Sequence, residues 1–289
     1  DERAKRVGLP NRRAALDSIP SSMRAAKLPA RAALDWIVCG VERVRRERER
    51  WVGAALVYLL LAVVLHRVPF LGDLVLILLS PFLLGSLLQA AEQEAVPPPV
   101  ALERDNWRAL TRVYLLQPLR GFGRLFRDEE RLLPALMLSI LVLGGIVLAQ
   151  IVAYLLIGGS PVGGLNATSL AVAGRGGLLP LLLAIVLLLY LLLTMALFYS
   201  VPLTVLDGRT PPTALFESFR GCKRNALPLS LFTLIFFLPY AVIVGAFNLS
   251  RWLGYPILFL LGTATLALFL AAAHCSFQAL YRRLPVVAP

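Results

Sequence analysis

Long, almost uncharged apolar runs constrain this chain more than any other feature of its sequence. A helix of about 20 apolar residues crosses the roughly 30 Å hydrocarbon core of a bilayer. The first run is short, but the arginines on either side of it can extend their charged ends to the interfaces. The sequence therefore predicts an all-α, polytopic membrane protein with six transmembrane helices. The predicted spans are Trp51–His66, Phe70–Ala90, Leu132–Ile157, Leu178–Ser200, Leu227–Phe247 and Trp252–Cys275.

The positions of lysine and arginine predict the orientation of the chain in the membrane. Of the 29 such residues, only Arg67, Arg175 and Arg251 lie in the short alternate connections between spans. Because cytoplasmic loops retain lysine and arginine, both termini and both long connections (91–131 and 201–226) are predicted to be cytoplasmic. Arginine also far outnumbers lysine, which indicates a GC-rich bacterial genome. We therefore expect a multi-pass protein of the bacterial inner (cytoplasmic) membrane.

The stretch 41-VERVRRERERW-51 runs directly into the first span. Its arginines could suit nucleic acid, but the interleaved glutamates lower its net charge, so no nucleic-acid partner is predicted. We expect the arginines to lie against anionic headgroups on the cytoplasmic side. In 103–116, Trp107, Leu110 and Tyr114 recur at helical spacing beside a basic face, which is typical of a helix in the interface or of one packed on a protein partner. The predicted membrane-surface residues are Arg45, Arg46, Arg48, Arg50, Arg104, Arg108 and Arg112.

Similar stretches precede three pairs of spans. Both 33-ALDWIVCG-40 and 214-ALFESFRG-221 begin with Ala-Leu, end at Gly after seven steps and are followed by basic residues, and 121-GFGRLFRDEERLLP-134 again joins Gly to basic residues and to a span. The sequence thus predicts an internal repeat of three units, each a cytoplasmic amphipathic helix followed by a transmembrane hairpin. The units cover about 31–95, 103–200 and 212–281. They form a single six-helix domain, 31–285, after a polar, basic N-terminal arm, 1–30.

The stretch 198-FYSVPLTVLDGRTPPTALFESFRGCKRNALPLSL-231 resembles the junction between the fourth and fifth helices of a group of uncharacterised six-helix bacterial inner-membrane proteins. That group is distantly similar to the membrane domain of glycerophosphodiester phosphodiesterases. The first hairpin, from Ala33 through 81-PFLLG-85, fits the same group, and the resemblance covers about residues 30–285. It implies a membrane fold and no catalytic site. The residues that carry it are Pro202, Leu203, Asp207, Gly208, Ser218, Asn225 and Pro228.

Few ionisable groups fall inside the predicted spans, where catalysis or ion coupling would need them. His66 and His274 lie at opposite sides of the membrane, so they cannot ligate one haem together. Cys39, Cys222 and Cys275 fall on the reducing cytoplasmic side and form no Cys-x-x-Cys pair, so three free thiols are expected. We predict that the protein is not an enzyme and holds no cofactor and no metal.

Small residues recur at every fourth position in the third and sixth spans and allow close helix approach. The N-terminal arm has prolines and few apolar anchors, so we expect a membrane-protein partner subunit to hold it. The sequence favours a non-catalytic accessory, scaffold or assembly subunit of a larger membrane complex, surrounded by membrane lipids that are anionic on the cytoplasmic side. The alternative is a transporter or channel for an apolar or lipid-like substrate. The candidates for helix packing or docking are Gly145, Ala149, Ala153, Thr263, Ala267 and Ala271.

Overall fold

The computed structural model describes residues 25–68, 71–93, 111–116, 119, 123, 129–157 and 179–282. Every regular element in these ranges is a helix. The α-helices are α1 (Ala32–Arg46), α2 (Arg48–Leu65), α3 (Leu71–Gln93), α4 (Glu129–Ile157), α5 (Leu179–Leu197), α6 (Ser200–Val205), α7 (Pro211–Arg224), α8 (Ala226–Leu249), α9 (Arg251–Ile257) and α10 (Thr263–Phe277). Three five-residue π-helical segments are Arg112–Leu116, Leu258–Gly262 and Gln278–Arg282.

Five helical segments in the described ranges are long and apolar enough to cross a membrane, which confirms the all-α membrane class. The first predicted span forms α2, but the first three residues of this 18-residue helix are charged, so it is not among the five. The last segment continues seven residues beyond the predicted end at Cys275, because a π-helical turn extends α10. The five segments are Leu71–Glu92, Leu132–Leu155, Pro180–Val205, Ala226–Leu249 and Arg251–Arg282.

The charged residues at the two ends of α3 are separated by about the thickness of a bilayer. Asp73 lies in the first turn of this helix and Glu92 lies next to its last residue. Nineteen residues at about 1.5 Å per residue separate them by roughly 28 Å along the axis, close to the roughly 30 Å of a hydrocarbon core. The only histidines of the chain lie at the same two levels, since His66 contacts Asp73 and His274 contacts Glu92. This spacing is what a helix needs to cross a membrane with its charged ends in the interfaces.

The two helices with similar sequences, α1 and α7, bury equivalent faces against spans outside their own unit. Ala33 and Ala214 are fully buried, and the glycines that end each motif, Gly40 and Gly221, are buried as well. Helix α1 packs on α10, and α7 packs on α5 and α6. Gly40 lies so close to α10 that a β-carbon on it would come within 2.8 Å of the backbone nitrogen of Ala272. A side chain larger than hydrogen is therefore incompatible with this packing.

Two clusters of buried side chains hold the helices together. The larger cluster is formed by residues of α1, α6, α7, α8 and α10 and by Tyr199 after α5, and Trp36, Tyr199 and Phe232 are fully buried in it. The second joins α2, α3 and α10 through Trp51 and Leu87. Helix α10 contributes to both clusters. It therefore acts as the central element around which the first and last parts of the chain assemble.

The prediction of three free thiols is wrong for two of the cysteines. Cys39 of α1 and Cys275 of α10 form a disulfide, with their Cα atoms 6.3 Å apart and a separation of 236 positions in sequence. The close packing of α1 on α10 brings the two sulfurs together, and the sequence did not reveal that packing. Cys222 is a buried free thiol, and burial raises its pKa to about 12.

Thiol counting tests this arrangement. The intact protein, purified without reductant, is expected to bind no maleimide in its folded state. The thiol of Cys222 is buried, and its raised pKa keeps it protonated at neutral pH. After unfolding one label is expected, and after unfolding with reduction three, each read from the intact mass. Three labels on the unfolded but unreduced protein would contradict the disulfide. A label on the folded protein would contradict the burial of Cys222.

Candidate functional site: a polar end and an adjacent groove

Charged and polar side chains from separate helices meet at one end of the bundle, here called the polar end. Arg43 comes from α1, Glu92 from α3, and Asp207 from the turn after α6, while the others come from α10 and its π-helical extension. Hydrogen bonds connect all of these residues into one network. The polar end consists of Arg43, Glu92, Asp207, His274, Gln278 and Arg282.

His274 is the buried centre of this network, with 1% of its surface exposed. The Nη1 of Arg43 lies 2.9 Å from its Nδ1, and the Oε1 of Glu92 lies 3.3 Å from its Nε2. Because a guanidinium can only donate, Nδ1 must be the acceptor and Nε2 carries the proton that points to Glu92. These contacts therefore hold His274 as a neutral imidazole in one tautomer.

Two arginines complete the network. Arg43 also donates from Nη2 to Oε1 of Gln278 at 2.6 Å. Burial lowers the pKa of the Arg43 guanidinium, and nearby Glu47 and Glu92 oppose this shift. Arg282 donates to Glu92 at 2.6 Å and to Asp207 at 3.1 Å. The network thus connects α1, α3 and the turn after α6 to the C-terminal helix.

Ser218 and Gly208, two of the residues on which the predicted resemblance rests, shape the joint between α5 and α7. The Ser218 hydroxyl accepts from the backbone nitrogen of Tyr199 and donates to the carbonyl of Met195, both at 2.9 Å. It therefore satisfies backbone groups that become free where α5 ends. Gly208 turns the chain with a positive φ of 66°, a conformation that glycine adopts without strain. These two residues thus determine the path of the backbone at this joint.

Asn225 fastens the last part of the N-terminal arm to the bundle. This residue is 1% exposed and lies between α7 and α8. Its side-chain oxygen accepts from the backbone of Leu28, and its amide nitrogen donates to the carbonyl of Ala26, both at 2.8 Å. The nitrogen of Ala26 also donates to the carbonyl of Leu280. The described end of the arm is thus held by its own chain, and residues 1–24 lie outside the described residues.

The predicted membrane-surface arginines divide into two groups. The side chains of Arg45, Arg46 and Arg48 are exposed, although the latter two contact neighbouring glutamates. The side chain of Arg50 is only 8% exposed and donates to Glu47 at 2.6 Å, and its placement at the membrane surface stays a prediction. This ion pair joins the start of α2 to the residue before it.

The arginines predicted for the stretch 103–116 are only partly covered by the structure. Arg104 and Arg108 lie outside the described residues, together with Trp107 and Leu110. Arg112 begins the π-helical segment Arg112–Leu116, which contacts α2. The placement of a complete amphipathic helix over 103–116 stays a prediction.

Both stripes of small residues face other helices of the same chain. Ala149 and Ala153 are buried, and a β-carbon on Gly145 would lie 2.9 Å from Cδ1 of Leu193 in α5. On α10, Thr263 is buried, and Ala267 and Ala271 pack in the cluster with Trp51. These contacts correspond to helix packing within the chain, the first of the two predicted alternatives.

A groove opens between α5 and α8, next to the polar end. Its volume is about 560 Å³ and its walls are mainly apolar. Hydroxyl groups lie along it, but that of Thr194 already donates to the carbonyl of Tyr190 at 2.8 Å. A groove of this size and character suits an apolar ligand. The lining residues are Leu187, Tyr190, Leu191, Thr194, Met195, Phe198, Cys222, Ala226, Leu229, Ser230, Thr233, Leu234 and Phe237.

Sequence reasoning missed the acidic members of the polar end. Glu92 and Asp207 had a recognisable signal, because each is an acid close to the end of a span that the charge count assigns to the same side as Arg282. Opposite charges at one level of a bundle are candidates for pairing. Among the described residues, no group of three or more His, Cys, Asp or Glu side chains is placed to hold a metal ion.

Comparison with protein-family models, curated proteins and solved structures finds no match to this chain. The similarity to the membrane domain of glycerophosphodiester phosphodiesterases therefore stays a prediction.

Glu92→Gln tests the contribution of the polar end to stability. We expect this change to lower the free energy of unfolding in detergent by about 1.5–3 kcal/mol, because His274 and Arg282 lose a charged hydrogen-bond acceptor. Asp73→Asn is the matched control at the other end of the same helix. Its partner His66 has a side chain that is 79% exposed, so a loss below about 1 kcal/mol is expected. Equal losses in the two variants would contradict a stabilising role of the polar end.

Proposed function

We propose that this chain is a non-catalytic integral protein of the bacterial inner membrane that serves as an accessory, scaffold or assembly subunit of a larger membrane complex. In this proposal α2 joins the five apolar segments as a sixth span, the spans form three hairpins, and both termini are cytoplasmic. The polar end then faces the cytoplasm. The likeness to the membrane domain of glycerophosphodiester phosphodiesterases belongs to the same proposal.

The observation that carries this proposal is that the buried polar groups of the bundle form hydrogen bonds between helices. Arg43 and Glu92 each bond to His274, which connects three helices, and Asn225 bonds the arm to the α7–α8 joint. These are contacts that fix helices relative to each other. A rigid bundle of this kind is suited to presenting its outer surface to other membrane components.

The outer surface supports the same interpretation. Large apolar side chains of α4, α5 and α8 point outward, and Leu155, Leu187 and Leu238 are each at least 70% exposed. Such surfaces are stable only against lipid or against another membrane helix. We propose that partner subunits cover part of this surface and also contact residues 1–24.

The groove between α5 and α8 favours a second candidate function. A transporter or channel for an apolar or lipid-like substrate needs an apolar site within the membrane that is open to its substrate, and this groove lies between two spans. Pro239 inside α8 and Pro81 inside α3 would provide the hinges.

Purification from membranes in mild detergent tests the subunit proposal. We expect the protein to elute with one or more membrane proteins in a stable complex, identified by mass spectrometry. Removal of residues 1–24 should reduce the yield of that complex, because the arm is a proposed contact. Truncation of residues 283–289 at the other terminus is the control and should retain it. A chain that elutes alone with bound lipid would contradict the subunit proposal and favour the transporter.

A further inference from the structure

We propose that the groove between α5 and α8 holds an acyl chain of an anionic phospholipid, whose headgroup phosphate lies on Lys223 and Arg224 at the mouth of the groove. This inference goes beyond the proposed subunit function and does not depend on it. It assigns a specific lipid site to one leaflet, the leaflet at the polar end of the bundle.

The length of the groove matches one leaflet. Its α5 wall runs from Leu187 to Phe198 and its α8 wall runs from Ala226 to Phe237. Each wall spans eleven helical steps, or about 16 Å. Half of a hydrocarbon core is about 15 Å thick. An acyl chain that enters at the polar end would therefore reach the middle of the bilayer where the groove ends.

The walls of the groove suit a hydrocarbon chain. Leucine and phenylalanine side chains dominate the lining, and Leu187, Leu191, Leu234 and Phe237 are more than half exposed. Because these exposed side chains lie on membrane-spanning helices, the groove is open laterally towards lipid. A lipid can thus enter from the bilayer without crossing the protein interior. The volume of about 560 Å³ lies within the range of sites that bind small apolar ligands.

Two exposed cations lie within two residues of the groove lining in sequence. Lys223 and Arg224 lie between Cys222 and Ala226, which both line the groove. Both basic residues are exposed, and no ion pair of the described residues includes either of them. A phosphate at the mouth would therefore meet two cations that are free to bind it.

The surrounding charges add to this preference for an anion. The one acid of α7, Glu217, is already bound to Arg209, so it does not neutralise the cations at the mouth. Arg220, one turn before Lys223 and Arg224, is also exposed and stacks on the ring of Phe216. The end of α7 thus carries three basic side chains on neighbouring turns. Each juxtamembrane cation strengthens binding to anionic lipid, so a net-negative headgroup is favoured over a zwitterionic one.

Native mass spectrometry of the full-length protein in detergent tests the site, with phosphatidylglycerol and phosphatidylcholine of identical acyl chains as probes. We expect phosphatidylglycerol to bind first, as one lipid per chain. The double variant Lys223→Gln/Arg224→Gln should weaken this binding by about 30-fold, the effect expected from the loss of two juxtamembrane cations. Arg67→Gln/Arg251→Gln removes two exposed arginines at the opposite end of the bundle and should leave the affinity unchanged.

A second pair of variants tests the acyl-chain part of the site. Ser230→Trp fills the groove from an exposed position on α8 and should abolish specific binding of phosphatidylglycerol. Leu227→Trp places the same ring on α8 outside the groove lining. This variant should bind phosphatidylglycerol as tightly as the unaltered chain does. The proposal is overturned if both lipids bind equally well, if the two charge variants behave alike, or if Ser230→Trp retains the lipid. Because detergent-solubilised protein is used, the outcome is independent of orientation and of any partner subunit.

Discussion

The contact between α1 and α10 is the interaction on which the rest of the described structure depends. Gly40 lets the backbones of these helices approach closely at Ala272, and the Cys39–Cys275 disulfide covalently fixes the same pair. One turn away, Arg43 reaches His274. Three different kinds of interaction thus act along one helix pair. Together they close the first helix of the domain onto the last span.

The contact between α1 and α10 determines which partners the buried polar groups can reach. A buried imidazole is costly unless both of its nitrogens have partners, and His274 has Arg43 on one side and Glu92 on the other. Arg282 then reaches from the same helix to Glu92 and Asp207. Since each partner comes from a different helix, displacement of one helix would leave buried charges unpaired. The network therefore favours one relative arrangement of α1, α3 and α10.

Much of the fold follows from hydropathy alone. Five predicted spans were recovered because a run of about 20 apolar residues has few alternatives to a membrane helix. The similarity of 33–40 to 214–221 also predicted two helices, α1 and α7, that bury equivalent alanines and glycines. Local patterns were sufficient in these cases because the signal lies within a single element.

Long-range pairings could not be predicted in the same way. The disulfide joins residues 236 positions apart, and an argument from cellular compartment led to the wrong expectation. The end of α5 before Tyr199 depends on Ser218, nineteen residues further on. In each case the determining partner belongs to another part of the chain.

The unfolding temperature of the Gly40→Ala variant, compared with that of Gly245→Ala, tests the close packing of α1 on α10 most directly. Within a helix, Gly→Ala alone stabilises by about 0.5–1 kcal/mol. That gain is expected for Gly245 in α8, where a β-carbon would meet nothing within 4 Å. At Gly40 the new methyl group would meet the backbone of Ala272, so the unfolding temperature in detergent should fall instead of rising. A rise for Gly40→Ala equal to that for Gly245→Ala would contradict the close packing of the two helices.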